Sequence, residues 1–116
     1  MTIPLSPSFR AGDLLFVSGQ LGLGDAGLVP GGVVEETRQA IRNVAKVLAA
    51  HDAHLSDVVK TTVFLTSMAD WPAMNEVYTE LFAAPYPARS VVEVTLIGGA
   101  LVEIEVIAHV PVKPAP

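Results

Sequence analysis

The sequence predicts an α/β domain in which one sheet carries two helices on one face. The length of 116 residues suits a single hydrophobic core and is too short for two. Strand and helix patterns follow in the order strand, helix, strand, helix, strand, strand, so both helices can cover the same side of a sheet. Hydrophobic residues make up 51% of the chain, a high share for a domain this small. We therefore expect another chain to cover part of the apolar surface.

The first half of the chain contains one strand, one loop and one helix. Leu14–Ser18 follows a Gly-Asp turn pair and is apolar enough for a buried strand. Residues 19–32 contain six glycines and a proline, which is typical of a loop and leaves room for a short hairpin arm. A helix is predicted over Val34–Ala50, because apolar residues recur there at the helical spacing. These residues are Ile41, Val44, Ala45 and Leu48.

The second half begins with another strand and another helix. Lys60–Thr66 is rich in β-branched residues, which favour strands. Asp70 is a suitable N-cap, and Pro72 is tolerated in a first helical turn. The apolar residues that continue this helix are Met74, Val77, Tyr78, Leu81 and Phe82. Pro85 and Pro87 then end it.

Two strands, Arg89–Leu96 and Leu101–Val110, complete the chain on either side of the turn pair Gly98-Gly99. One face of the last strand is wholly apolar and consists of Val102, Ile104, Val106, Ala108 and Val110. The opposite face is mixed and consists of Leu101, Glu103, Glu105, Ile107 and His109. A partly apolar sheet face without helices predicts self-association through the sheet. The alternative is a monomer with a half-exposed sheet.

Charge and composition narrow the possible partners. The net charge is −5, whereas nucleic-acid binders need a basic face, so no nucleic acid is expected. The chain has no cysteine, and its histidines lack carboxylate partners at metal-ligand spacing, so we expect neither a metal nor a cofactor. No apolar run approaches the roughly 18 residues of a membrane span, and no secretory signal is visible. These features predict a cytoplasmic protein that does not bind membranes.

Arg89 is the strongest candidate for ligand binding. It lies between a proline-rich corner, residues 85–88, and an apolar strand, where a free surface charge is not expected. Its planar guanidinium can bind a carboxylate or phosphate through two parallel hydrogen bonds. Two interpretations stay open: a clamp for a substrate anion, or a structural ion pair with Glu93 on the same strand face.

Glu103 and Glu105 are the candidate acid–base residues. Both lie among apolar residues of the last strand, so each carboxylate must be hydrogen-bonded, ion-paired or raised in pKa. One of them could orient a water molecule as a general base; an interface salt bridge is the alternative and is favoured for Glu105. At the end of the first strand, Ser18 is followed by Gly19, which would let a ligand approach the backbone. An ordinary exit into a loop is the simpler interpretation there.

Six segments, from about Pro4 to Val110, resemble the RidA (YjgF) family. The two most specific segments are Pro87-Ala88-Arg89-Ser90 and Glu103-Ile104-Glu105, in that order. The other four are Leu14–Gln20, Thr37–Val44, Val58–Leu65 and Asn75–Tyr78. The resemblance thus covers almost the whole chain.

The resemblance implies a chorismate-mutase-like fold with a mixed sheet, in one domain over residues 1–116 that ends in a tail, residues 111–116. It implies a homotrimer whose sheets face inward, whose helices face outward and whose ligand clefts lie between subunits. It also implies that the sheet order is not sequential, so the link at Gly98-Gly99 need not be a hairpin.

The activity that the resemblance implies is hydrolysis of 2-imino acids, or their enamine tautomers, to 2-keto acids and ammonia. By position, Arg89 matches the residue that binds the substrate carboxylate, and Glu103 matches the residue that holds the attacking water. The other matched cleft positions are Ser18, Gly19 and Asn75. The expected partners are therefore a small imino or keto acid and further copies of the chain.

Two positions depart from the family pattern. Leu5 stands where a tyrosine is usual, and Val91 stands where a cysteine is often found. Both changes make the expected cleft more apolar, and they leave open a trimer that binds or senses a small carboxylate without turning it over. Endoribonuclease or translation-inhibitor activity also attaches to the family, and the acidic charge balance disfavours it.

Overall fold

The computed structural model describes residues 2–114 as seven strands, two α-helices and short 3-10 turns. The strands are β1 (Ser8–Ala11), β2 (Leu14–Leu21), β3 (Leu23–Gly24), β4 (Gly27–Leu28), β5 (Val58–Leu65), β6 (Ala88–Glu93) and β7 (Val102–His109). The helices are α1 (Gly32–Ala49) and α2 (Trp71–Leu81). Every predicted helix and strand is present, with ends that differ from the prediction by a few residues.

Five strands form one mixed sheet in the order β1-β2-β7-β5-β6. β5 and β6 are parallel, whereas the other neighbours are antiparallel. β3 and β4 form the short separate hairpin for which the glycine-rich loop leaves room. Because β5 separates β6 from β7, the Gly98-Gly99 link is a crossover and not a hairpin. Both glycines adopt positive φ, 67° and 79°, a conformation in which glycine has no Cβ to clash.

The core lies between the sheet and the two helices. Alternate residues of the central strands face it, for example Val17, Val63 and Ile104, and all three are almost fully buried. Ile41 of α1 and Met74 of α2 pack over them and are inaccessible to solvent. Each such side chain stabilises the fold by roughly 1.5–3 kcal/mol, so this face fixes the position of both helices.

The opposite face of the sheet carries no helix among the described residues. Phe9 and Phe16 lie directly opposite each other in β1 and β2, with exposed fractions of 69% and 41%. On β7 this face carries Glu103, Glu105 and half-buried Ile107, while the alternating residues are buried. The predicted division of the last strand into an apolar face and a mixed face is therefore confirmed. We call the helix-free side the open face.

Two local predictions need correction. The strand β1 is absent from the prediction, because it is a four-residue edge strand with a single large apolar residue, Phe9. Asp70 takes the N-cap position of α2, but its side chain makes no capping hydrogen bond. The reason is a 3-10 turn that precedes the helix and is capped instead by Ser67, whose Oγ accepts from the Ala69 amide at 3.2 Å.

Residues 111–114 of the predicted tail have no regular secondary structure. The Val112 amide donates to Asp13 Oδ1 at 3.0 Å, and Lys113 Nζ lies 2.8 Å from Asp52 Oδ2. Residue 1 of the predicted domain and residues 115–116 of the tail lie outside the described residues. Within the described part of the chain, neither helix is long and apolar enough to cross a membrane.

Candidate functional site

Arg89 lies on β6, at the edge of the sheet opposite β1, and its side chain is on the helix side of the sheet. Its register partner on β5 is the buried Thr61, which fixes that orientation. Nη1 of Arg89 donates to Oδ1 of Asn75 at 2.7 Å. The guanidinium carbon lies 4.9 Å from the ring centroid of Tyr78, within cation–π range. Asn75 and Tyr78 are one turn apart on α2, so a single helix face holds the arginine.

An open depression of about 390 Å³ adjoins this arginine. Its lining residues are Asn75, Tyr78, Thr79, Tyr86, Pro87 and Arg89. The alternative prediction, an ion pair between Arg89 and Glu93, is wrong: Oε1 of Glu93 accepts from the Met68 amide at 2.9 Å. Among the described residues, no carboxylate lies within ion-pair distance of Arg89. The guanidinium therefore has both space and N–H donors for an incoming anion.

Glu103 is on the open face of β7, next to a bend in β2. The pairing of β2 with β7 shifts register between Val17 and Gln20, so Ser18 and Gly19 form a β-bulge. A Cβ atom added to Gly19 would clash with Oε1 of Glu103. A residue larger than glycine would therefore displace this carboxylate, and bulges of this kind often re-aim groups beside active sites.

Burial raises the pKa of the Glu103 carboxyl, and the charge of Glu105 raises it further. A carboxyl that is less acidic than usual binds a proton more readily, so it is a better base near neutral pH. The neighbouring Ser18 is held in place by two hydrogen bonds: its Oγ donates to the Ser6 carbonyl at 2.6 Å, and its amide donates to the Pro7 carbonyl at 3.0 Å. The segment before β1 is thereby fixed beside the bulge.

A second hollow, of about 480 Å³, lies on the open face beside the bulge. Among its lining residues are Phe9, Phe16, Ser18, Lys60 and Glu105. Within residues 2–114, no three histidine, aspartate or glutamate side chains are grouped closely enough to hold a metal ion.

The predicted site residues thus form two groups. The edge cluster consists of the predicted residues Asn75 and Arg89 together with Tyr78. The bulge cluster consists of the predicted residues Ser18, Gly19 and Glu103. Side chains alternate between the two sides of a sheet. In the sheet register, Arg89 is in one row with buried Thr61 and Val106. Glu103 is in one row with Phe64 and Val92, whose side chains lie on the other side of the sheet. One chain therefore places its two clusters on opposite faces of its own sheet.

The structure adds Tyr78 and Thr61 to the site, two residues that the sequence pattern does not mark as functional. Tyr78 fits the apolar stripe of α2 and is 3% exposed, so its pattern is that of a core residue. The available signal was its spacing of three residues from Asn75, which puts the two side chains on one helix face.

Comparison with known proteins agrees with this fold. The family model described as Endoribonuclease L-PSP matches residues 2–110. A Capra hircus protein named 2-iminobutanoate/2-iminopropanoate deaminase is 42% identical over 108 residues, covering 90% of this chain and 79% of the relative. The crystal structure of RidA from the Antarctic bacterium Psychrobacter sp. superposes with a TM-score of 0.89 at 33% identity, covering 95% of this chain and 91% of that one. E. coli TdcF with bound serine gives a TM-score of 0.85 at 33% identity, with coverage of 94% and 90%.

Proposed function

This chain belongs to the RidA (YjgF) family, and from that premise we propose that it hydrolyses 2-imino acids to 2-keto acids and ammonia. The observation that carries the proposal is the state of Arg89. Its guanidinium is held by Asn75 and Tyr78, has no carboxylate partner among the described residues, and borders an open depression. A relative whose name states this activity and a related structure with a bound amino acid support the same ligand class, a small carboxylate.

The catalytic unit that we propose is shared between copies of the chain. Arg89 and Glu103 are on opposite faces of one sheet, so a ligand that touches both must lie between two chains. A homotrimer with three such clefts would meet this requirement and would also cover the exposed phenylalanines of the open face. In each cleft one chain contributes its edge cluster and its neighbour contributes its bulge cluster.

The proposed reaction needs a bound anion, a positioned water and a proton carrier. Arg89 binds the substrate carboxylate through two N–H groups. The Glu103 carboxylate takes a proton from water as the oxygen adds to the imine carbon. That proton goes to the imine nitrogen and gives an amino alcohol. Glu103 then takes the proton of the new hydroxyl and passes it to the amino nitrogen, so the carbon–nitrogen bond breaks, the carbonyl forms and ammonia leaves. Imines hydrolyse unaided in water, so most of the acceleration comes from positioning, which can contribute up to about 7–11 kcal/mol in ideal cases.

The two departures from the family pattern bear on the choice of substrate. Leu5 is 62% exposed in the isolated chain and supplies an apolar side chain where the family has a phenol. Val91 is two residues beyond Arg89 and packs against the core. Neither position removes the proposed anion clamp or the proposed base. We expect aliphatic and aromatic imino acids to be favoured over polar ones of similar size.

The test uses two impaired variants that can restore imine clearance only when one cleft combines residues from both chains. Arg89→Ala and Glu103→Gln are purified separately and as a co-refolded 1:1 mixture, and clearance of an imine from a coupled threonine dehydratase reaction is measured. At substrate concentrations well below KM, each variant alone should keep on the order of 1% of wild-type clearance or less. In a random mixture about one cleft in four receives an intact Arg89 from one chain and an intact Glu103 from the next, so about a quarter of wild-type activity should return.

Other results would contradict the proposal in different ways. Clefts built within one chain would give no recovery on mixing. Unchanged imine clearance by Arg89→Ala would show that Arg89 does not bind the substrate carboxylate. Binding of 2-ketobutyrate by a wild-type protein that does not clear imines would favour the non-catalytic carboxylate-binding trimer. Cleavage of single-stranded RNA by the wild-type protein, lost in Glu103→Gln, would favour the endoribonuclease alternative.

A further inference from the structure

The guanidinium of Arg89 rests on an aromatic ring that is anchored in the core. The ring of Tyr78 is almost fully buried and stacks on Phe82, with centroids 4.5 Å apart and an interplanar angle of 23°. The guanidinium carbon lies 4.9 Å from the Tyr78 centroid. Since both its helix and its ring partner hold the tyrosine, the ring is a fixed surface for the arginine.

The hydroxyl of Tyr78 is fixed as well. It lies 2.9 Å from Oγ1 of Thr61, a residue with no solvent exposure. Thr61 is also the register partner of Arg89 across the β5–β6 pair. Three elements are therefore linked to one another. The hydrogen bond joins β5 to α2, the cation–π contact joins α2 to β6, and sheet pairing joins β6 to β5.

Asn75 holds one corner of the same guanidinium, at 2.7 Å from Nη1. An arginine side chain carries five N–H donors in a planar fork. With one face on Tyr78 and one corner on Asn75, the plane of the group is set before any ligand arrives. Binding then costs less side-chain entropy than it would for a mobile arginine.

We propose that Tyr78 is a positioning residue for carboxylate recognition, and that its ring, held by burial and by stacking on Phe82, orients the Arg89 guanidinium toward the depression. The inference rests on the proposed function and deepens it. The substrate acid meets a guanidinium oriented by an aromatic ring, so affinity for the carboxylate depends on that ring and much less on the tyrosine hydroxyl. Burial raises the pKa of Tyr78, which keeps the phenol neutral beside the arginine.

The test compares ring removal with hydroxyl removal. Tyr78→Leu takes away the ring, whereas Tyr78→Phe keeps it and loses only the bond to Thr61. Calorimetric titration with 2-ketobutyrate should show that Tyr78→Leu weakens binding by about 2- to 30-fold, the range that cation–π contacts span, while Tyr78→Phe stays within about 2-fold of wild type. In the imine assay, Tyr78→Leu should raise KM more than it lowers kcat.

Three further measurements separate positioning from general loss of stability. Val77→Ala opens a cavity at the neighbouring buried position of α2 and should lower Tm while leaving 2-ketobutyrate affinity unchanged. The Arg89 Nε–H resonance should carry a ring-current shift that Tyr78→Phe keeps and Tyr78→Leu loses. Tyr78→Met is measured in parallel, so the comparison does not depend on the folding of one variant.

The outcomes distinguish this inference from the proposed function. Tight 2-ketobutyrate binding by folded Tyr78→Leu and Tyr78→Met would overturn the positioning role alone. An equal loss of affinity in Val77→Ala would also overturn it, by showing that stability is the cause. If the wild-type protein binds no 2-ketobutyrate, both the positioning role and the proposed function are wrong.

Discussion

The edge cluster and the bulge cluster hold their charged groups by different physical means. Arg89 is held by side chains: an amide oxygen at 2.7 Å and an aromatic ring at 4.9 Å. Glu103 is held by backbone shape, because a bulge places a glycine against its carboxylate. The first arrangement presents a fixed cation for an acid, and the second gives a carboxylate whose pKa is raised by burial. Under the proposed mechanism, this difference assigns binding of the ligand to the edge cluster and proton transfer to the bulge cluster.

The largest expected effect comes from removing each charged group and comparing the kinetic signatures. Arg89→Ala should lower kcat/KM on the order of 100-fold or more, mainly through KM, because two charge-assisted hydrogen bonds to the carboxylate are lost. Glu103→Gln should act mainly on kcat, since it removes the base and leaves the anion clamp. Arg89→Lys should recover only part of the loss, because an ammonium lacks the planar fork. If both variants changed KM and kcat in the same way, the two clusters would not have the separate roles expected here.

A smaller effect is expected at Gly19. In Gly19→Ala the new Cβ would clash with Oε1 of Glu103, so the carboxylate must move. A displacement of about 1 Å in an active site can cost on the order of 100-fold, and we expect kcat to fall about 10- to 100-fold with little change in 2-ketobutyrate affinity.

Gly24→Ala is the matched control for that substitution. Its new Cβ would lie 3.2 Å from the tip of the Val29 side chain and 4.0 Å from the Gly27 carbonyl oxygen, and this position lies outside both clusters. Full activity of Gly19→Ala, or an equal loss in Gly24→Ala, would show that the close approach of Gly19 to Glu103 has no role.

The smallest expected effect is a change in pH dependence. A base with a raised pKa loses its activity as pH falls through that raised value, so the acid limb of kcat/KM should lie above the ordinary glutamate range. Because the Glu105 charge contributes to raising the pKa of Glu103, Glu105→Gln should move this limb to lower pH. Glu80→Gln removes a charge from an exposed side chain of α2. Its pH profile should match that of the wild type.

The raised pKa of Glu103 also makes the stability of the fold depend on pH. The folded chain favours the protonated Glu103, so its contribution to stability is present below the ordinary glutamate pKa and is lost as pH rises through the raised value. Glu103→Gln should therefore reduce the dependence of Tm on pH across that interval. An unchanged dependence, measured by thermal unfolding at several pH values, would contradict the assigned cause.

The sequence predicts the order of the elements and the two faces of β7, because apolar alternation depends only on neighbouring residues. It also selects Arg89, whose corner between prolines and an apolar strand is visible in the chain. It misses β1, where edge pairing tolerates a short segment with one large apolar side chain. It also misses the role of Tyr78, since a residue whose ring supports a cation has the same pattern as one that only fills the core. The separation of Arg89 from Glu103 depends on strand order and register, which local patterns do not contain.

The pleat of the sheet has a consequence for when the reaction centre exists. Residues 89 and 103 project from opposite sides of a hydrogen-bonded sheet, and neither a loop movement nor a hinge within one chain can bring them together. Folding and activation are therefore separate events under the proposed arrangement, and the second depends on encounter between chains. Specific activity should then decline on dilution while the fold of each chain persists.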